Sequence, residues 1–240
     1  MTPPAPTHLT TPDGTRIAYR DRLPPHPAPH SHPHALLLLH GLAGHQGEFD
    51  DLASRLHAAG HRVVTYDARG HGASTLRPPT VTRAAHVQDA VALIEELALA
   101  PVTLIGQSLG GHTAMLLASA HPDLVSSMVL VEAGPAGSDP GLPSRIAEWL
   151  DGWDSGTDRD TMVACVAELA TRDYWDEWSR VARPTLLIEG ANGTMRPDEP
   201  STMLARRPTG TRHVVVPGAA HDVHLDQPAA LYGLITSFLA

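Results

Sequence analysis

Apolar residues recur along this chain in two rhythms. Short continuous runs rich in Leu, Val and Ile occupy residues 35–39, 62–66, 102–105, 127–131, 185–188 and 213–216. Unbroken runs of this length read as strands buried on both faces of a sheet. Residues 15–20 add a strand that follows the Pro12-Asp13-Gly14 turn. Between these runs lie segments with helical spacing, at 49–59, 82–97, 112–120 and 228–239. Strands alternating with helices imply a parallel sheet with right-handed crossovers.

One segment breaks the alternation. Residues 134–181 contain no convincing strand. A Gly- and Pro-rich loop at 134–143 opens it, and helical patterns follow at 144–150 and 161–178. The four tryptophans, Trp149, Trp153, Trp175 and Trp178, all fall there. The segment reads as a helical cap inserted into a core made of residues 1–133 and 182–240.

Composition narrows the chemistry. An apolar share of 42% over 240 residues suffices for a buried core. No run approaches the length of a membrane span, and residues 1–8 carry neither the basic nor the apolar part of a signal peptide. The formal charge of −9 argues against nucleic acid as a partner. All 17 basic residues are arginine, which excludes a lysine Schiff base or a Ser-Lys dyad. The single cysteine, Cys165, forms no intrachain disulfide and fits a reducing compartment, so a cytoplasmic setting is the expectation.

The most informative motif is Gly106-Gln107-Ser108-Leu109-Gly110-Gly111. It joins a predicted strand to a predicted helix. A serine between glycines at such a junction suits a nucleophile elbow, a turn so tight that the hydroxyl is pushed up off the sheet. Three further loops follow predicted strands: His40-Gly41-Leu42-Ala43-Gly44, then 67–74 with the pattern D-x-R-G-x-G-x-S, then Pro217-Gly218-Ala219-Ala220-His221. Together, in this order, these loops resemble those of the α/β-hydrolase fold superfamily over nearly the whole chain, from about residue 8 onward.

The resemblance implies a mostly parallel, doubly wound sheet of about eight strands and a serine-hydrolase site at the strands' C-terminal edge. Ser108 is then the nucleophile and His221 the base that takes its proton. His224 is the nearest rival to His221 among the sixteen histidines. The backbone N–H groups of Leu42 and Leu109 would hold the oxyanion. The 67–74 turn reads as scaffold, with no catalytic part for Asp67 or His71.

The chain departs from the family pattern at the triad's acid. The loop after the 185–188 strand reads Gly190-Ala191-Asn192-Gly193-Thr194-Met195, with Gly193 and Thr194 where an acid is usual. Neither can take up a proton or balance a positive imidazolium. Glu132, ending the 127–131 strand, is the substitute, because some family members carry the acid after that strand. Glu189, Asp198 and Glu199 stay open as rivals, as does a dyad without an acid.

Trp149 and Trp153 share one helix face, and Tyr174, Trp175 and Trp178 another. They read either as an aromatic wall over Ser108 that binds an apolar substrate, or as the cap's own packing core. The His/Pro-rich tract 26–34 reads as a surface loop and not as a metal site. No phosphate loop or dinucleotide fingerprint is present, so no cofactor is expected. The expected partner is a small molecule, with neither nucleic acid nor membrane. The reading is a serine hydrolase that cleaves a carboxylic ester or related acyl substrate of apolar character through an acyl-enzyme. Non-hydrolytic or C–C bond-cleaving chemistry on the same Ser-His frame, and ligand binding by a degenerate frame, are the alternatives.

Overall fold

The computed structural model describes residues 5–24, 35–152 and 156–240. Trp153 and the His/Pro-rich tract at 26–34 lie outside them. Eight strands form one sheet: β1 (Thr7–Thr10), β2 (Arg16–Arg22), β3 (Leu36–Leu39), β4 (Val63–Tyr66), β5 (Val102–Gln107), β6 (Val125–Val131), β7 (Thr185–Gly190) and β8 (Thr211–Val216). Their spatial order is β1-β2-β4-β3-β5-β6-β7-β8. The β1–β2 and β2–β4 pairs are antiparallel and every other pair is parallel.

Helices fill the connections: α1 (Asp50–Ala58), α2 (Arg83–Glu96), α3 (Leu109–Ala120), α4 (Leu142–Leu150), α5 (Arg159–Cys165), α6 (Ala167–Thr171), α7 (Trp175–Arg180), α8 (Glu199–Arg206), α9 (Val223–Asp226) and α10 (Pro228–Leu239). Alternate strand residues face opposite layers, as a two-sided sheet requires. Leu37, Leu39, Leu104 and Leu130 pack toward α2, α3 and Trp178. Leu36, Leu38, Ile105 and Val129 pack toward α1 and α10. Strand β1 and helices α8 and α9 are additions to the elements expected from the sequence. No helix among the described residues is long and apolar enough to cross a membrane.

The helical pattern at 161–178 is divided into α5, α6 and α7. The break between α6 and α7 has its reason in backbone bonds outside the segment. The Arg172 carbonyl accepts from the Ser138 amide at 3.0 Å, and the Tyr174 amide donates to the Pro135 carbonyl at 2.8 Å. These bonds to the 135–138 loop replace the ones a continuous helix would make, and Arg172 is extended (φ −150°, ψ 160°).

Helices α4 and α5 rest on two loops at the sheet's edge. Leu142, Ile146, Leu150, Met162 and Val166 form an apolar cluster with Leu42, Ala43 and Leu109. This third cluster is separate from the two sheet layers.

Candidate active site

Strand β5 enters a turn at Ser108 and leaves it as α3. Ser108 adopts φ 51°, ψ −119°, in the left-handed half of conformational space. Such backbone strain costs about 1–3 kcal/mol and persists only where the surroundings enforce it. Here the Ser108 amide donates to the Val131 carbonyl and its carbonyl accepts from the His112 amide, both at 2.9 Å. The glycines make the turn possible. A Cβ at Gly106 would lie 2.6 Å from the Gly110 carbonyl oxygen, and one at Gly110 would lie 2.3 Å from the Leu39 carbonyl oxygen. Ser108 stays partly exposed at the turn's apex.

The loop after β3 lies against this turn. A Cβ on Gly41 would stand 3.3 Å from the Ser108 Cβ and 2.1 Å from Gln107 Oε1. His40 holds the loop in place. It is buried, and its Nδ1 donates to the Gly41 carbonyl at 2.7 Å while Nε2 accepts from the Ala68 amide at 3.0 Å. No turn, loop or cap hydrogen bond among the described residues uses the Leu42 or Leu109 amide. Leu109 opens α3, where backbone N–H groups are free and the helix dipole favours negative charge.

His221 lies beyond β8 and is about one-third exposed. Gln107, directly before the serine, grips its loop: Nε2 donates to the His221 carbonyl at 3.2 Å and to Asp222 Oδ1 at 3.3 Å. Gln107 fills the second position of the elbow motif, where the pattern accepts any residue, so the sequence alone does not single it out. The rival His224 is buried beside Phe49, with Nε2 3.6 Å from Glu48 Oε2.

Glu132 directly follows β6, the neighbour of the strand that leads into Ser108. It too is left-handed (φ 50°), and its side chain is fully buried. Oε1 accepts from the Gly190 amide at 2.8 Å and Oε2 from the Thr194 amide at 2.7 Å. His221 Nδ1 stands 3.4 Å from Oε2. Burial opposes ionisation of this carboxyl, but the bonds from His221, Thr194 and Gly190 outweigh it and hold the pKa below the ordinary value. Gly193 makes room: a Cβ there would fall 2.1 Å from Glu132 Oε1. The Glu132 carboxylate thus fills the space where a side chain at 193 would begin.

Two of the rival acids are engaged elsewhere. Glu189 meets His213 Nε2 at 2.8 Å, and Glu199 accepts from the Ala136 amide at 2.8 Å. Asp198 is exposed at the start of α8 and makes no side-chain cap bond there. Thr194 Oγ1 lies 2.8 Å from His221 Nδ1, nearer than Glu132 Oε2 at 3.4 Å.

Asp67, Arg69, His71 and Ser74 are scaffold. Asp67 receives Gln46 and Ala73 amides at 2.7 and 3.0 Å, and Ser74 Oγ donates to the Asp67 carbonyl at 2.5 Å. Burial pushes the His71 pKa down to about 3, so that ring is neutral.

Trp175 and Trp178 are placed differently from an aromatic wall. Trp178 is fully buried in the sheet's core, with its indole N–H on the Met203 carbonyl at 3.0 Å and Arg207 stacked on its ring. It has no free face for a substrate, because α7 packs down against the sheet layer and α3. Arg206 covers Trp175, and Trp149 is half-exposed. The side chains beside Leu42 and Leu109 are aliphatic: Leu142, Ile146, Leu150 and Met162. A separate cavity of about 370 Å³ on the flank, lined by Arg83, Gln88, His121 and Tyr174 among others, includes neither Ser108 nor His221. Among the described residues, no group of three or more His, Cys, Asp or Glu is arranged to hold a metal ion.

Known proteins share this arrangement of strands and loops. A family model described as alpha/beta hydrolase fold matches residues 34–164, more than half of the chain. The chain is 29% identical to the sn-1-specific diacylglycerol lipase ABHD11 of Mus musculus, over 86% of this chain and 81% of that protein. It is 24% identical to Esterase YbfF of Escherichia coli, over 85% of this chain and 92% of that protein. Among solved structures, a hydrolase from Pseudomonas aeruginosa PA01 superposes with a TM-score of 0.84 at 24% identity, with 98% of both chains covered. The eight-stranded sheet, the elbow and the family match agree, and the chain belongs to the α/β-hydrolase fold family.

Proposed function

We propose that this chain is a serine hydrolase that cleaves a carboxylic ester of apolar character through an acyl-enzyme. The observation that carries the reading is Ser108, a left-handed non-glycine residue (φ 51°) at the apex of a strand-to-helix turn and open to solvent on one side. The mouse lipase and the Escherichia coli esterase support ester hydrolysis by their names. The substrate is a small molecule, and the helices between β6 and β7 act as its cap. Their aliphatic residues beside Leu42 and Leu109 supply an apolar surface.

The proposed reaction runs in two halves. Ser108 Oγ attacks the ester carbonyl carbon while His221 Nε2 takes the hydroxyl proton. The carbonyl oxygen gains the negative charge and rests on the Leu42 and Leu109 amides, which need no reorganisation. Glu132 steadies the imidazolium formed on His221. The intermediate collapses as the alkoxide leaves, taking the proton from Nε2 as an alcohol. Water then attacks the acyl-enzyme, giving its proton to His221, and the carboxylic acid departs as Ser108 recovers its own.

A fluorophosphonate probe tests this reading. Mass spectrometry should find the label on Ser108 and none on the Ser108→Ala variant. Glu132→Gln should lower kcat by about two to four orders of magnitude, since the imidazole loses the anion that orients it. Wild-type protein left unlabelled by the probe would sink the serine-hydrolase reading. Unchanged kcat in Glu132→Gln would remove Glu132 from it.

A further inference from the structure

The Nδ1 of His221 faces two oxygens. Thr194 Oγ1 lies 2.8 Å away and Glu132 Oε2 lies 3.4 Å away. The first is an ordinary hydrogen-bond length; the second is long, as is the 3.5 Å from the Thr194 hydroxyl to the same carboxylate oxygen. The same carboxylate holds the threonine. Its backbone amide donates to Glu132 Oε2 at 2.7 Å, and its Oγ1 stands 3.5 Å from that oxygen. The loop is fixed by a further bond from the Gly190 amide to Glu132 Oε1 at 2.8 Å.

Proton counting allows two directions for this chain. An ionised carboxylate only accepts, and a hydroxyl has one proton to give. In the first direction the Thr194 proton points to Glu132, 3.5 Å away, and an oxygen lone pair is left facing Nδ1. Nδ1 must then carry the imidazole proton, which leaves Nε2 bare. A bare Nε2 is what a base for Ser108 requires. The reverse arrangement, with the hydroxyl donating to Nδ1, would put the proton on Nε2 and block it.

We propose that Thr194 is a positioning residue that carries the orienting effect of Glu132 to His221 through its hydroxyl. No proton changes hands in this link. Both O–H and N–H stay intact, and the bonds shorten as the imidazolium forms. The proposal rests on the reading of Ser108, His221 and Glu132 as the reacting set. It also explains why the loop after β7 holds Gly193-Thr194 in place of an acid. Glycine leaves space for a carboxylate arriving from β6, and a Cβ there would meet Glu132 Oε1 at 2.1 Å. Threonine closes the remaining distance to the ring.

Thr194 is exposed, so water competes for its place, and that competition makes the test sharp. Thr194→Val keeps the shape and removes the hydroxyl. Steady-state hydrolysis of p-nitrophenyl butyrate should show kcat reduced roughly ten- to a hundredfold with KM little changed, the loss of one charge-assisted hydrogen bond. Thr194→Ser should restore kcat to within about threefold of wild type. Nitrogen-15 NMR of the His221 ring should show protonated Nδ1 and bare Nε2 in wild type at pH 8, and a tautomer mixture in Thr194→Val. Wild-type kcat with an unmixed Nδ1–H tautomer in Thr194→Val would overturn the proposal. So would a wild-type ring protonated on Nε2, a reading that needs no variant to fold. Failure of the underlying reading looks different: Ser108→Ala and His221→Ala would both keep full hydrolysis.

Discussion

Ser108 and Glu132 are neighbours in strain as well as in space. Each directly follows a strand and has positive φ, 51° and 50°, after the adjacent strands β5 and β6. Each is pinned by one ladder bond at 2.9 Å, Ser108 to the Val131 carbonyl and Glu132 to the Ile188 carbonyl. The left-handed turn at each strand end redirects its side chain, and the loops after β7 and β8 receive Glu132. Gly193 is the weak point of that arrangement. Gly193→Ala puts a methyl carbon 2.1 Å from Glu132 Oε1 and 2.4 Å from its Cδ, so the buried carboxylate must shift. Its bonds to the Gly190 and Thr194 amides then lengthen, and kcat is expected to fall by roughly tenfold or more. Relocating the acid tests the same contact. Glu132→Ala with Gly193→Asp should recover part of the kcat lost in Glu132→Ala alone, because the vacated space accepts an aspartate from the other side. Full activity in Gly193→Ala would show that the loop yields without disturbing Glu132.

At the scale of elements, one buried ion pair ties three segments together. Arg69, after β4, bonds Asp89 of α2 through Nε and Nη2 at 2.7 and 2.6 Å, and through Nη1 it meets Asp13 of the β1–β2 turn at 2.9 Å. Arg69 and Asp89 are both at most 2% exposed. Removing one partner of such a pair strands a charge, so Asp89→Ala should cost about 3–5 kcal/mol in urea unfolding. A loss below about 1 kcal/mol would mean that Asp13 and the Thr80 carbonyl suffice for Arg69. The pattern of the sequence reaches these elements unevenly, for physical reasons. Continuous apolar runs expose β3 to β7 because both their faces are buried. Strand β1 escapes because four alternating residues, THLT, are too short for a period to register. The break between α6 and α7 escapes because it depends on bonds to residues 135–138, which no local pattern contains. The elbow and its flanking loops are legible because backbone geometry demands glycine there. Glu132 is visible as a carboxylate at the right strand end. The hydroxyl of Thr194 is not, because its meaning comes only from lying between Glu132 and His221.

At the scale of the whole molecule, burial of histidine sets the response to acid. His40, His71 and His86 line a small void behind the elbow with Leu109 and Gly110, and His112 lies close by on α3. Burial lowers the pKa of all four, and for His86 and His112 the neighbouring Arg83 cation adds to it. His71 falls to about 3 from an ordinary 6.5. These rings are therefore neutral when folded and free to protonate when unfolded. Below pH 6.5 the unfolded chain binds more protons, so stability is full above that value and declines as pH falls toward the folded pKa values. Each ring contributes up to about 1.4 kcal/mol per pH unit. The slopes of the four rings add as long as the folded rings stay neutral, so acid weakens the fold steeply below pH 6.5. Glu132 has a lowered pKa, so its loss adds only below its ordinary 4.5 and cannot cause the earlier decline. Urea midpoints should be nearly flat from pH 8 to 7 and drop steeply from 6 to 5. Near-ultraviolet circular dichroism and esterase activity should disappear together over that range. Activity lost while the urea midpoint stays constant would place the acid limb in the active site and not in these four rings.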